Sequence, residues 1–185
     1  MKIALAQINT TVGDLDGNVR RILAAYDRGR AAGAELVLTP ELSITGYPPR
    51  DLLLRDAFVR RNLEMLDKLA AATGETGLIT GFVGINERRP GRTVTNSVAL
   101  LHRGRSVAAR EKTLLPTYDV FDEDRYFEPA KDNQPVRFLG QSVGLTVCED
   151  LWNDADFWGD RRYRRNPAAD LVAAGATMLL NISAS

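Results

Sequence analysis

Residues 2–39, KIALAQINTTVGDLDGNVRRILAAYDRGRAAGAELVLT, change apolar period twice. In 2–8, Ile3, Leu5 and Ile8 sit among small residues, the pattern of a buried strand. Residues 13–16 form a turn whose acidic residues favour a following helix N-terminus. From 18 to 32, Val19, Ile22, Leu23 and Tyr26 recur at helical spacing, and Gly33 stands where a helix C-cap glycine belongs. ELVLT at 35–39 is a second short strand, stopped by Pro40. Strand, helix and strand in that order predict a right-handed crossover and parallel pairing, hence an α/β fold.

Working outward, residues 42–50 read as a loop punctuated by Gly46, Pro48 and Pro49. Residues 51–72 read as one long amphipathic helix, with Leu63, Leu66 and Leu69 on its apolar side. A strand is predicted at 78–85, then a hairpin of 93–101 and 106–111 around Gly104. Residues 113–133 form a long loop rich in Asp, Glu, Pro and aromatics, and loops of that length in compact domains are usually functional. A second hairpin joins 136–139 to 142–147 around Gly140; residues 170–174 close a helix and 177–182 form a last strand.

The chain has 185 residues, the size of one ordinary domain. Lys plus Arg and Asp plus Glu both number 24, so no net charge drives it toward nucleic acid or an anionic membrane. The basic run 161–165 has Asp154, Asp156 and Asp160 just upstream, which predicts local pairing or a solvated helix face and not a nucleic-acid site. No apolar run approaches the roughly 20 residues that span a bilayer, and the N-terminus reads as a strand and not a signal peptide. A single Cys excludes an internal disulfide and suits a reducing cytoplasm. One His and one Cys offer no zinc cluster, so no metal is expected.

Cys148 follows the apolar strand 142–147, a rigid and exposed position of the kind a nucleophile needs. On position alone a small core residue is the more common reading of a lone strand cysteine. A catalytic Cys needs a proton acceptor. The only His, His102, sits in a predicted hairpin turn beside Arg103 and Arg105 and reads as solvated, which leaves a carboxylate base. Glu41 follows Pro40 at the C-terminal end of a strand, where open α/β sheets place their sites, and Lys112 stands at another strand end. Each also reads as an ordinary exposed charge.

In chain order, Pro40-Glu41-Leu42 with Gly46-Tyr47-Pro48-Pro49, then Lys112-Thr113-Leu114-Leu115-Pro116, then Cys148-Glu149-Asp150, resemble the nitrilase or carbon–nitrogen hydrolase superfamily. Three longer stretches, TGYPPRDLLLR at 45–55, LLPTYDVFDEDRYFEP at 114–129 and VCEDLWND at 147–154, look most like the N-terminal glutaminase domain of glutamine-dependent NAD(+) synthetases. The resemblance runs over the whole chain. It implies a nitrilase-like αββα sandwich formed by residues 1–185, truncated at its C-terminal end and without a synthetase domain. By position it makes Glu41 the base, Lys112 the family lysine and Cys148 the nucleophile. Glu123 would be the second active-site carboxylate, with Glu128 as the alternative. Tyr47, Tyr118, Phe121 and Glu149 would shape a glutamine pocket, and Ser185 would contact substrate.

The implied reaction is hydrolysis of the glutamine side-chain amide through a cysteine thioester. It needs no cofactor; ATP and magnesium would serve only the synthetase domain, which is the implied recipient of the ammonia. A homo-oligomer in the cytoplasm, with no nucleic-acid or membrane partner, is also implied. The alternatives are a stand-alone amidase acting on another small amide, and an inactive binding or regulatory domain.

Overall fold

The computed structural model describes residues 1–154, 156–157 and 162–184. Strand β1 (Ile3–Leu5), helix α1 (Leu15–Ala31) and strand β2 (Leu36–Leu38) form the expected crossover, with β1 and β2 parallel. Helix α1 begins three residues earlier than its apolar pattern, because the Asp14 carboxylate accepts the Gly17 N–H at 2.9 Å and caps the free first turn. Asn18 inside that turn is fully buried, donating to the carbonyls of Thr11 and Ile44 and accepting the Thr11 N–H.

Helix α2 (Asp56–Ala72) corrects the single helix expected over 51–72. Arg50–Leu54 is a separate 3-10 turn, and Arg55 is extended at φ −103° and ψ 105°. That break lets Leu53 turn inward against Leu42, Val59, Val83, Leu115 and Phe127. Strands β3 (Gly77–Ile85), β4 (Val94–His102) and β5 (Arg105–Glu111) follow as an antiparallel meander, giving a five-stranded sheet ordered β1-β2-β3-β4-β5. His102 ends β4 and does not sit at a solvated turn tip. Its ring packs edge-on against Phe138 at 5.1 Å, and Nε2 lies 3.2 Å from the Glu75 carbonyl.

The long loop contains one helical turn, α3 (Glu123–Tyr126). Strands β6 (Val136–Phe138), β7 (Gln141–Val147) and β8 (Met178–Ile182) form a second sheet, antiparallel at β6-β7 and parallel at β7-β8. Helix α4 (Pro167–Ala173) connects β7 to β8, capped by the Asn166 side chain.

Side-chain alternation sets the layers. Val37, Leu78, Phe82, Ala99 and Leu101 pack against α1 and α2 on the outer face of the larger sheet. Their neighbours Leu36, Leu38, Ile79, Val98 and Leu100 face Val143, Leu145, Val147, Leu180 and Ile182 of the smaller sheet. Leu171 of α4 lies over Gly144 on the far side. The order is helix, sheet, sheet, helix, an αββα sandwich. Strand β3 is buried on both faces over Gly77–Gly84, which explains a continuous apolar run with no alternation.

Candidate active site

Glu41, Lys112 and Cys148 each lie just past a strand of the sandwich, after β2, β5 and β7 respectively. Ser183 follows β8 in the same way, and the parallel register Val147↔Ile182 places it beside Cys148. Its hydroxyl donates to Cys148 Sγ at 3.3 Å.

Two of these turns use left-handed backbone. Cys148 has φ 44° and Leu42, next to Glu41, has φ 46°. Such residues cost on the order of 1–3 kcal/mol and persist only where their surroundings over-determine them. At Leu42 the surroundings include Gly81 of β3. A Cβ there would lie 2.1 Å from the Leu42 backbone nitrogen, so the loop carrying Glu41 passes directly over a bare glycine.

Lys112 Nζ lies 2.7 Å from Glu41 Oε1 and 2.8 Å from Glu123 Oε1, and all three side chains are buried. Tyr47 donates its hydroxyl to Glu123 Oε1 at 2.8 Å. Asn96 of β4 donates from one nitrogen to Glu41 Oε1 at 2.7 Å and to Glu123 Oε2 at 3.3 Å. The backbone N–H of Ala184 lies 3.3 Å from Glu41 Oε2. Burial pushes the Lys112 ammonium toward the neutral form, but Glu41, Glu123 and Cys148 outweigh it and the net shift is upward. Burial, with Glu41 beside it, holds the Glu123 carboxyl above its ordinary value, against the lowering effect of Lys112 and Tyr47. Burial and Glu123 push the Tyr47 phenol upward, so it remains a donor.

Asp150 couples the two halves of the site. Its fully buried carboxylate accepts the N–H groups of Thr113 and Leu114, just after Lys112, and of Val147, just before Cys148. Burial pushes its carboxyl up to about 6, opposed by those N–H groups and by Lys112.

Glu149 accepts the hydroxyls of Tyr118, at 2.9 and 3.0 Å, and Tyr163, at 3.0 Å. Burial and Glu149 raise the Tyr118 phenol to about 12. Arg162 stacks over the Tyr118 ring at 3.7 Å, and Tyr118 meets Phe121 edge-on at 5.7 Å. Phe121 and Tyr47 line a cavity of about 410 Å³ together with Glu123, Arg50 and Arg125.

The structure thus gathers Glu41, Lys112, Glu123 and Tyr47 into one hydrogen-bonded cluster and sets Tyr118 and Glu149 beside Cys148. Glu128 instead accepts the Arg92 N–H at 3.0 Å, away from Lys112. Ser185, Asp160 and Arg161 lie outside the described residues. Within the basic run, Arg162 stacks on Tyr118 and Arg165 pairs locally with Asp170 at 3.4 Å. Sequence reasoning missed Asn96, Asp150, Tyr163 and Ser183. A buried Asn within an apolar strand was the available signal for Asn96, and a fourth strand end for Ser183. Among the described residues, no group of three or more His, Cys, Asp or Glu is arranged to hold a metal ion.

Sandwich and cluster together define a class. Residues 2–158 match the carbon–nitrogen hydrolase family, and the chain belongs to that family. It is 43% identical over 187 residues to the glutamine-dependent NAD(+) synthetase of Synechocystis sp., an alignment covering 99% of this chain and 34% of that protein. The structure of glutamine-dependent NAD+ synthetase from Acinetobacter baumannii superposes with a TM-score of 0.86 at 30% identity, over 99% of this chain and 32% of that one. A mutant of the Nesterenkonia AN1 amidase from the nitrilase superfamily shares the fold, with a TM-score of 0.79 at 24% identity over 99% of this chain and 64% of that one. The chain spans about a third of the length of the curated relatives it matches.

Proposed function

We propose that residues 1–185 are the carbon–nitrogen hydrolase part of a glutamine-dependent NAD(+) synthetase and release ammonia from the glutamine side chain. The observation that supports this most directly is the buried Lys112 ammonium between Glu41 and Glu123, at the strand ends where Cys148, buried and not exposed as its strand-end position predicts, sits on strained backbone. Glu41 takes the Cys148 thiol proton and the thiolate attacks the amide carbon. Glu41 and Glu123 occupy two of the three Lys112 N–H groups; the third, with the backbone N–H of Glu149, stabilises the oxyanion. One such donor contributes about 10²–10³ in rate. The tetrahedral intermediate collapses as Glu41 returns the proton to the departing ammonia, leaving a glutamyl thioester. Water, deprotonated by Glu41, attacks the thioester; the Cys148 thiolate leaves and regains its proton from Glu41, and glutamate is released.

This step uses only the chain's own residues. Tyr47, Tyr118, Phe121 and Glu149 shape the glutamine site, Glu149 being a buried carboxylate suited to an α-ammonium group. The ammonia would pass to a synthetase domain, which uses ATP and magnesium and is present in the longer relatives. The test is ammonia release by the purified chain on glutamine and on a panel of small amides. Glutamine is expected to be preferred and the Cys148→Ala variant to be inert. Release that survives in folded Cys148→Ala overturns the assignment.

A further inference from the structure

Glu41 has two oxygens, and they are not equivalent. Oε1 receives Lys112 Nζ and Asn96 Nδ2, each at 2.7 Å. Oε2 faces the Ala184 N–H at 3.3 Å, and residue 183 next to it contacts Cys148 Sγ. We propose that Asn96 is a positioning residue which, with Lys112, occupies Oε1 of Glu41 and thereby assigns proton transfer to Oε2, the oxygen on the Cys148 side. The inference rests on the reading of Glu41 as base and Cys148 as nucleophile.

A second observation supports it independently. Asn96 is fully buried, and its Oδ1 has no hydrogen-bond partner among the described residues. Rotating the amide would aim that oxygen at two carboxylates, so the cluster holds the amide in the one orientation that donates to both. Its backbone carbonyl also accepts the Lys112 N–H at 2.7 Å, so one residue of β4 sets the height of the lysine and the rotation of the base. The charged and titratable groups facing this cluster are Lys112 after β5, Glu123 on α3, Tyr47 in the loop after Glu41, and Cys148 after β7.

An N–H aimed at a carboxylate favours its ionised form. Removing it takes away a contact that favours the ionised form and frees the carboxylate to rotate. The test measures pH profiles of kcat/KM on glutamine, and of Cys148 alkylation by iodoacetamide, for the wild type, Asn96→Ala and Asn96→Asp. For Asn96→Ala the expected result is a fall in kcat of roughly 10–100-fold, with KM changed less than about threefold and the acid limb of both profiles moved to higher pH. Asn96→Asp replaces the donor by an acceptor of the same shape and should be slower than Asn96→Ala, whereas a merely space-filling role makes the isosteric variant the faster one. Acid limbs of folded Asn96→Ala that coincide with those of the wild type in both profiles overturn the inference. If alkylation shifts as expected while glutamine is not hydrolysed by the wild type, the positioning role stands and the glutamine reading falls. If wild-type Cys148 neither alkylates faster than an ordinary thiol nor releases ammonia, both fall.

Discussion

Replacing Lys112 by Met keeps the side chain's length and removes its charge from between two buried carboxylates. At an effective dielectric of about 20 and a charge separation of about 4 Å, each ion pair is worth about 4 kcal/mol before desolvation. Glu41 and Glu123 also share one Asn96 nitrogen, at 2.7 and 3.3 Å. At about 6 Å in the same dielectric, their mutual repulsion is on the order of 3 kcal/mol once the ammonium is gone. Desolvation removed along with Lys112 offsets part of this, and breaking a buried pair from one side typically costs about 3–5 kcal/mol. The pH dependence follows from Glu123, whose carboxyl is already held above 4.5. A carboxyl raised on folding contributes its full stability below its unfolded value and loses it as pH rises through its folded value. Without Lys112 that rise is larger, so the deficit should be small near pH 5 and reach about 3–5 kcal/mol at pH 8. Denaturant unfolding of both proteins at the two pH values measures it. A deficit below about 1 kcal/mol at pH 8, or one equal at both pH values, refutes the account of Lys112 as the counter-charge of two ionised carboxylates.

Asp150→Ala leaves the N–H groups of Thr113, Leu114 and Val147 buried without an acceptor, so thermal or denaturant unfolding should show a loss of about 2–5 kcal/mol. Retained stability would mean that water replaces the carboxylate. Gly81→Ala sets a Cβ against the Leu42 backbone and should cost about 1–3 kcal/mol while lowering kcat on glutamine more than it raises KM; an active, wild-type-like Ala variant would show that the Glu41 loop tolerates the shift.

Much of the chain was legible in advance because short-range patterning reports burial directly. The β1-α1-β2 crossover follows from two apolar periods, and the strand ends bearing Glu41, Lys112 and Cys148 follow from where the runs 35–39, 106–111 and 142–147 stop. The elements that were misread share one cause. Arg55 is extended because Leu53 gains a buried site on Leu42, Val83 and Phe127, contacts remote in sequence that outweigh the helical pattern of 51–72. His102 reads as a turn residue until Phe138 of the other sheet is packed beneath it.

The sequence by itself determined the period of each element, the α/β class, and which residue types stand at the strand ends; the αββα layer order came only as what the family resemblance implies. Only the tertiary structure decided that Glu123 and not Glu128 reaches Lys112, that Asn96 spans both carboxylates, and that Asp150 ties the Lys112 segment to the Cys148 turn. Those contacts join residues up to 55 positions apart on different elements, as in the Asn96–Glu41 bond. Hydrophobic period is a property of neighbours along the chain, whereas the direction of a buried donor depends on which strands pair and in what register.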